Sequence, residues 1–78
     1  MSSVDLQKFN SYEQQIQTVI AACRAAFNGD TVTLQTLYYN GVDLNMRDYS
    51  NRSVLYYAVR GNMLSSVQFL INCGVNVN

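Results

Sequence analysis

The stretch GVDLN at Gly41–Asn45 returns as GVNVN at Gly74–Asn78, 33 positions further along the 78-residue chain. The same shift continues upstream without a gap and joins positions most of which are apolar. The joined pairs are Leu37 with Leu70, Gln35 with Gln68, Leu34 with Val67, Ala25 with Ala58, and Ala22 with Leu55. A fixed period of this length is typical of repeat proteins, in which each copy covers the apolar face of its neighbour. The sequence therefore predicts two copies, at 13–45 and 46–78.

Each copy has the pattern of two helices joined by a tight turn and followed by an extended loop. In the first copy, apolar residues recur at the spacing of one helix face, which we expect to be interior. They are Ile16, Val19, Ile20, Ala22, Cys23, Ala26 and Phe27. Ser11 with Gln14 matches a capping box, so this helix is predicted to start near Tyr12 and to break at Asn28–Asp30.

The second helix of the first copy is predicted after Asp30 and Thr31, with Leu34 and Leu37 on its buried face. It is predicted to end at Asn40–Gly41, because the chain needs a residue free to take positive φ at that point.

The second copy repeats this plan. Ser53 is predicted to cap one helix, Gly61–Asn62 to turn the chain, and Gly74 to end the other helix. The apolar positions of these helices are Leu55, Ala58, Val59, Leu64, Val67, Leu70 and Ile71. Asn51 and Asn62 occupy positions where glycine is expected, and asparagine tolerates the left-handed conformation better than most residues.

A longer part of the second copy, DYSNRSVLYYAV at Asp48–Val59, together with Gly74–Asn78, resembles the ankyrin repeat. That unit of about 33 residues consists of a β-turn finger and two antiparallel helices. The resemblance implies an all-α fold, a solenoid of stacked helix pairs with a β-turn finger. It divides the chain into an N-terminal tail at 1–11, a first, capping-like repeat at 12–45 and a second repeat at 46–78.

The sequence departs from the ankyrin pattern at the family's Thr-Pro-Leu-His tetrapeptide. SVLY stands there at Ser53–Tyr56 and IAAC at Ile20–Cys23, so the family's Thr to His hydrogen bonding is lost in both copies. This departure lowers the expected stability more than it alters the expected fold, because the spacing and the glycines are kept.

A narrower resemblance links Ala25–Asp30, Gly41–Asn45 and Ala58–Gly61 to the ankyrin arrays that follow the catalytic domains of asparaginase-type amidohydrolases and glutaminases. It implies an alternative in which the chain is a regulatory or assembly appendage of such an enzyme. The catalytic Thr, Ser and Lys residues of those amidohydrolases have no counterpart in this chain.

The composition argues against catalysis and against nucleic acid or an anionic membrane as a partner. The chain has no His, and five basic residues balance five acidic ones. Without His, the commonest general base and a common metal ligand are missing, so we expect no enzyme, no cofactor and no metal. Binding to phosphates needs clustered Lys and Arg, so neither nucleic acid nor an anionic membrane is expected as a partner.

The location expected from the sequence is intracellular and cytoplasmic. Cys23 and Cys73 are too few for a disulfide scaffold and indicate reduced thiols. Met1–Asn10 lacks the layout of a signal peptide, and the most obvious apolar run, Val19–Cys23, is too short to span a membrane.

The ankyrin resemblance places a partner-binding surface on the fingertip and on the exposed edge of the helix that follows. The residues at those positions are Met46, Arg47, Tyr49, Ser50, Arg52, Tyr57 and Arg60. Tyr and Arg dominate binding hot spots, so the expected partner is another protein. The alternative is an ordinary solvated loop. Tyr56, at the family's His position, is expected in the core with its hydroxyl bonded to the finger backbone.

The last helix pair is expected to need a cover. Val67, Phe69, Leu70 and Ile71 lie on helices with no third copy beside them, and arrays usually need three or more repeats. We expect this pair to meet further repeats of a longer array, or to self-associate.

Overall fold

A computed structural model describes the backbone of residues 3–77 and the side chains of residues 14–77. Four helices form this part of the chain: α1 (Ser3–Asn28), α2 (Thr31–Tyr39), α3 (Val54–Arg60) and α4 (Leu64–Asn72). Between α2 and α3 lies the finger, residues 46–53, where Arg47 and Ser53 pair in an isolated antiparallel bridge. Residues 3–77 contain no longer strand. The predicted all-α architecture with a β-turn finger is confirmed.

The first helix is longer than predicted. It begins at Ser3, so the predicted start near Tyr12 is wrong, and Ser11 lies inside α1 instead of capping it. The segment 3–11, predicted to belong to a tail, continues the same helix. The physical reason is that residues 3–11 contain neither Pro nor Gly, so no residue there breaks a helix.

The predicted cap of α3 is confirmed, and α2 begins at a side-chain cap as well. The Asp30 carboxylate accepts the Thr33 N–H at 3.1 Å and the Thr33 hydroxyl at 2.6 Å. Ser53 Oγ accepts the Tyr56 N–H at 3.0 Å. These bonds satisfy amide groups that have no partner inside the helix.

Two asparagines hold left-handed backbone, as predicted. Asn51 has a φ of 63° at the tip of the finger, and Asn62 has a φ of 56° in the turn between α3 and α4. The Asn51 N–H donates to the Asp48 carbonyl at 2.8 Å, which closes the fingertip turn.

The core lies where α1 packs against α3 and α2. Its fully buried larger side chains are Leu34, Val54 and Leu70. Small residues of α1 and α3 complete it at Ala22, Ala25, Ala26 and Ala58. Alanines at a helix seam allow backbones to approach closely, which leaves no room for longer side chains in the seam.

The prediction that the large apolar residues of α1 are interior is wrong for three of them. Ile16, Ile20 and Phe27 are 56%, 49% and 44% exposed, respectively. They lie along the edge of α1 because the alanines occupy the seam with α3.

The last helix pair is covered only in part, because Val59 and Leu64 are 61% and 77% exposed. Leu70 is fully buried, and Val67 and Phe69 are half-buried. The Phe69 ring meets the Tyr38 ring edge-on, with 6.3 Å between centroids. Ile71 is exposed, as expected.

Ser66 is the one polar residue that is fully buried among residues 14–77, and its hydroxyl has no hydrogen-bond partner there. A buried unpaired hydroxyl costs about 1–3 kcal/mol. We therefore expect Ser66→Ala to raise the free energy of unfolding by about 1 kcal/mol.

The matched control is Ser65→Ala, one residue earlier in α4 and exposed. It shares the gain in helix propensity but removes no buried hydroxyl, so the difference between the two variants isolates the buried group. Urea denaturation measures both. Equal effects of the two variants would contradict the prediction.

Candidate functional site

The finger is organised by one carboxylate. Asp48 Oδ1 accepts the N–H groups of Ser50 and Arg52, each at 2.9 Å. The Asp48 N–H donates to the Arg52 carbonyl at 3.0 Å, and Arg47 Nη1 donates to the Asn51 carbonyl at 3.1 Å. The backbone of the finger is therefore held in one shape by its own side chains.

A tyrosine of α3 ties the finger to the helix layer. Tyr57 Oη donates to Asp48 Oδ2 at 2.5 Å, and Tyr57 is half-buried. This hydrogen bond and those from the finger amides lower the pKa of Asp48, because they favour its charged form. The same bond raises the pKa of Tyr57, because losing the phenol proton would break it.

The expectation for Tyr56 is wrong, and its neighbour Tyr57 bonds the finger instead, through the Asp48 side chain. Tyr56 is 39% exposed, and its hydroxyl bonds no residue in the described part of the chain. Its ring stacks edge-on against Tyr57 at 5.4 Å and lies under the Arg52 guanidinium at 5.5 Å. Tyr56 is thus a surface residue beside the finger, and Tyr57 is the residue that bonds it.

The Asp48 bonds predict an acid-sensitive finger. Because the pKa of Asp48 is lowered from 3.8, its stabilisation is fully present above that pH and is lost as the pH falls through the folded value. We expect Asp48→Asn to lower the melting temperature by several degrees at neutral pH. We also expect the melting temperature of this variant to decline less between neutral and acid pH than that of the parent chain. The decline is not abolished, because the pKa of Asp30 is also lowered, by its hydrogen bonds to Thr33.

Thermal melts followed by circular dichroism between neutral and acid pH test this expectation. Tyr57→Phe removes the donor to Asp48 and should lower the melting temperature in the same direction. Tyr56→Phe is the matched control, because the hydroxyl it removes has no partner in residues 14–77. Equal melting temperatures for the two Phe variants would contradict the assignment of Tyr57.

The finger, α3 and the exposed edge of α1 enclose an open groove of about 1750 Å³. We call this surface the concave groove. Its α1 wall runs from Gln14 to Phe27, and its opposite wall is the finger with Val42 and Asp43. Tyr56, Tyr57 and Arg60 of α3 line the space between these walls.

All seven residues predicted for partner binding line the concave groove. They are Met46, Arg47, Tyr49, Ser50, Arg52, Tyr57 and Arg60. Met46 and Tyr57 are half-buried, and the other five are exposed. Tyr49 stands fully clear of the protein surface at 103% exposure. The structure thus brings these residues to one surface, and their role in binding stays a prediction.

Sequence reasoning missed the contribution of α1. Ile16, Ile20, Arg24 and Phe27 line the concave groove but were absent from the predicted set. A signal for two of them was present, because the shift of 33 residues carries Tyr57 onto Arg24 and Arg60 onto Phe27. Equivalent positions of stacked repeats lie on the same face of the solenoid.

The thiols and carboxylates of the described residues do not form a reactive or metal-binding centre. Burial, with a further contribution from the charge of Asp48, raises the pKa of Cys23 to about 11, which keeps the thiol protonated. Cys73 is half-buried, and burial raises its pKa as well. Residues 14–77 contain no group of three side chains able to hold a metal ion.

None of the helices in the described range combines the length and the apolar character needed to cross a bilayer.

The geometry is that of a small all-α repeat protein with a finger and a concave surface. The family of ankyrin repeats (many copies) matches residues 22–71. The chain belongs to the ankyrin-repeat family. Ankyrin repeats generally act as protein-interaction modules and are typically non-enzymatic.

Three relatives show the extent of the similarity. The chain is 41% identical to an L-asparaginase of Dirofilaria immitis over 54 residues, which is 69% of this chain and 9% of that protein. It is 32% identical to an ankyrin repeat protein of Acanthamoeba polyphaga mimivirus over 65 residues, 82% of this chain and 9% of that protein. It is 34% identical to the mitochondrial liver isoform of glutaminase of Rattus norvegicus over 65 residues, 82% of this chain and 11% of that protein.

The chain thus spans about a tenth of the length of these relatives. No solved structure matches it.

Proposed function

We propose that this chain is a non-catalytic ankyrin-repeat module that binds another protein through the concave groove. The observation that carries the proposal is the gathering of exposed Tyr and Arg side chains on one open surface. Tyr49 lies on the finger and Arg60 lies on α3, and both are exposed. Such side chains combine a large contact area with directed hydrogen bonds, and they are enriched in hot spots.

The finger suits this role because hydrogen bonds within the chain define its backbone before a partner arrives. Asp48 fixes its backbone through Ser50 and Arg52, and Tyr57 fixes Asp48 to α3. A surface that is ordered in advance loses less conformational entropy on binding, so more of the contact energy appears as affinity.

The absence of His from the sequence and the protonated Cys23 thiol support a non-catalytic role. Cys23 and Cys73 are both free, which supports a reducing, intracellular location such as the cytoplasm. An appendage of an asparaginase or glutaminase was the alternative. The matches to those enzymes do not favour it, because they cover 9% and 11% of the two proteins.

Alanine variants test the proposed surface. We expect Tyr49→Ala and Arg60→Ala each to weaken binding of a captured partner protein by about fivefold or more, equivalent to about 1 kcal/mol. Affinity chromatography from source-cell extract identifies the partner, and titration calorimetry with the purified pair measures its Kd.

The matched control is Tyr39→Ala, which removes an equally large and 75% exposed tyrosine from α2, outside the concave groove. Circular dichroism verifies that all three variants are folded. A partner that binds the two groove variants as tightly as the parent chain, but loses affinity for Tyr39→Ala, would move the binding surface to α2.

A further inference from the structure

The concave groove carries charge that the whole chain does not. The chain is neutral, with five basic and five acidic residues, yet all four of its arginines line this one surface. Two aspartates, Asp43 and Asp48, line it as well, so the described residues give the groove an excess of two positive charges. A concave surface with a net positive charge attracts and orients negatively charged partners.

The two carboxylates are already engaged in shaping the loop. Asp48 accepts hydrogen bonds from Ser50, Arg52 and Tyr57. Asp43 Oδ1 accepts the Asn45 N–H at 2.9 Å. These hydrogen bonds leave both carboxylates negatively charged, and Asp48 also attracts the guanidinium of Arg52, which lowers the pKa of Asp48 further.

Two of the arginines have unused hydrogen-bonding capacity. Arg24 of α1 and Arg60 of α3 are both exposed, and neither bonds another residue in the described part of the chain. A guanidinium presents a planar set of donors that matches a carboxylate with two parallel hydrogen bonds. One such group stands on each of the helices that line the groove.

The same surface has an apolar side. Ile16, Ile20 and Phe27 expose about half of their side chains along the α1 wall. Aliphatic and aromatic side chains of a partner can be buried there, which gives association a favourable hydrophobic contribution.

We infer that the concave groove accepts an acidic segment of a partner protein, with Asp or Glu side chains meeting Arg24 and Arg60 and apolar side chains lying on α1. This inference rests on the proposed function and names the chemistry of the partner. The observations favour a peptide over nucleic acid, because a phosphate backbone would lie against an apolar wall and two aspartates.

Peptide display on the full 78-residue chain tests the inference. Random peptides are selected on the purified protein, and fluorescent copies of the enriched sequences are titrated against it. We expect enriched peptides with a net negative charge and at least one large apolar residue. Their Kd should rise about tenfold in the double variant Arg24→Gln with Arg60→Gln, and also on going from about 50 to about 300 mM salt.

A charge-preserving variant separates the roles of charge and geometry. Arg24→Lys with Arg60→Lys keeps both positive charges but removes the planar donor set, so its Kd should lie between those of the parent chain and the Gln variant. Circular dichroism spectra that match the spectrum of the parent chain are the control that each variant is folded.

The other outcomes overturn the inference in distinguishable ways. Neutral or basic peptides that still require Tyr49 would show that the groove binds protein segments but that the charge inference is wrong. If the peptides bind the Gln variant and Tyr49→Ala as tightly as they bind the parent chain, both the inference and the proposed function are contradicted. A fluorescent single-stranded oligonucleotide is titrated in parallel. If it binds more tightly than every acidic peptide, and if the Gln variant loses this binding, the arginines serve nucleic acid binding instead.

Discussion

Gly61→Ala is expected to lower the free energy of unfolding by about 3 kcal/mol, although it adds a single methyl group. A Cβ at Gly61 would lie 2.3 Å from the Phe27 carbonyl oxygen and 3.1 Å from its carbonyl carbon. Both atoms belong to the backbone at the end of α1, so the clash with the added methyl group is removed only if a helix moves. Gly61 itself has a φ of −79°, so the cost is steric and not conformational.

The internal repeat supplies the matched control. The shift of 33 residues pairs Gly61 with Asn28, which ends α1 and is exposed. Asn28→Ala should therefore change stability by less than about 0.5 kcal/mol. Urea denaturation measures the free energy of unfolding of both variants. If Gly61→Ala has already lost its helical circular dichroism signal without urea, the variant is unfolded and the prediction is supported. A loss for Gly61→Ala as small as that for Asn28→Ala would show that α1 and α3 are not in close contact.

The contact between α1 and α3 also explains why the sequence predicted local structure correctly but did not predict how closely the helices pack. Periodicity, caps and turn residues depend on neighbours along the chain, so the sequence alone was enough to assign Asp30, Ser53 and Asn62. How closely two helices approach depends on residues far apart in sequence. Apolar spacing placed Ile16 and Phe27 in the interior, but the alanine seam and Gly61 bring α3 so near to α1 that these side chains lie at its edge.

The concave groove was predictable in part for a similar reason. The resemblance to the ankyrin repeat located the finger residues, because their positions follow the turn and its spacing. It assigned a bond to the finger backbone to Tyr56, at the family's His position, whereas Tyr57 bonds the finger through the Asp48 carboxylate. The α1 wall required the further step of carrying the second repeat's surface positions back by 33 residues, which reaches Arg24 and Phe27.

Leu44→Ala is the second substitution with a large expected effect, a loss of about 3 kcal/mol in the free energy of unfolding. Leu44 is 4% exposed and belongs to the buried core, in the loop that leads into the finger. The adjacent Asn45 Oδ1 accepts the Asn76 N–H at 2.7 Å, which ties this loop to the equivalent loop of the second repeat. Removing the Leu44 side chain leaves a cavity in the buried core.

Val77 is the control, because the repeat shift pairs it with Leu44 while its side chain is 64% exposed. Val77→Ala should change stability by less than about 0.5 kcal/mol, since it creates no cavity. Amide hydrogen exchange provides a local readout: protection at Asn76 should fall in Leu44→Ala and persist in Val77→Ala. Equal stability of the two variants would mean that burial by the neighbouring repeat contributes little at this position. The Leu44→Ala variant should also bind a partner more weakly at the concave groove, because the finger begins at Met46, two residues after Leu44.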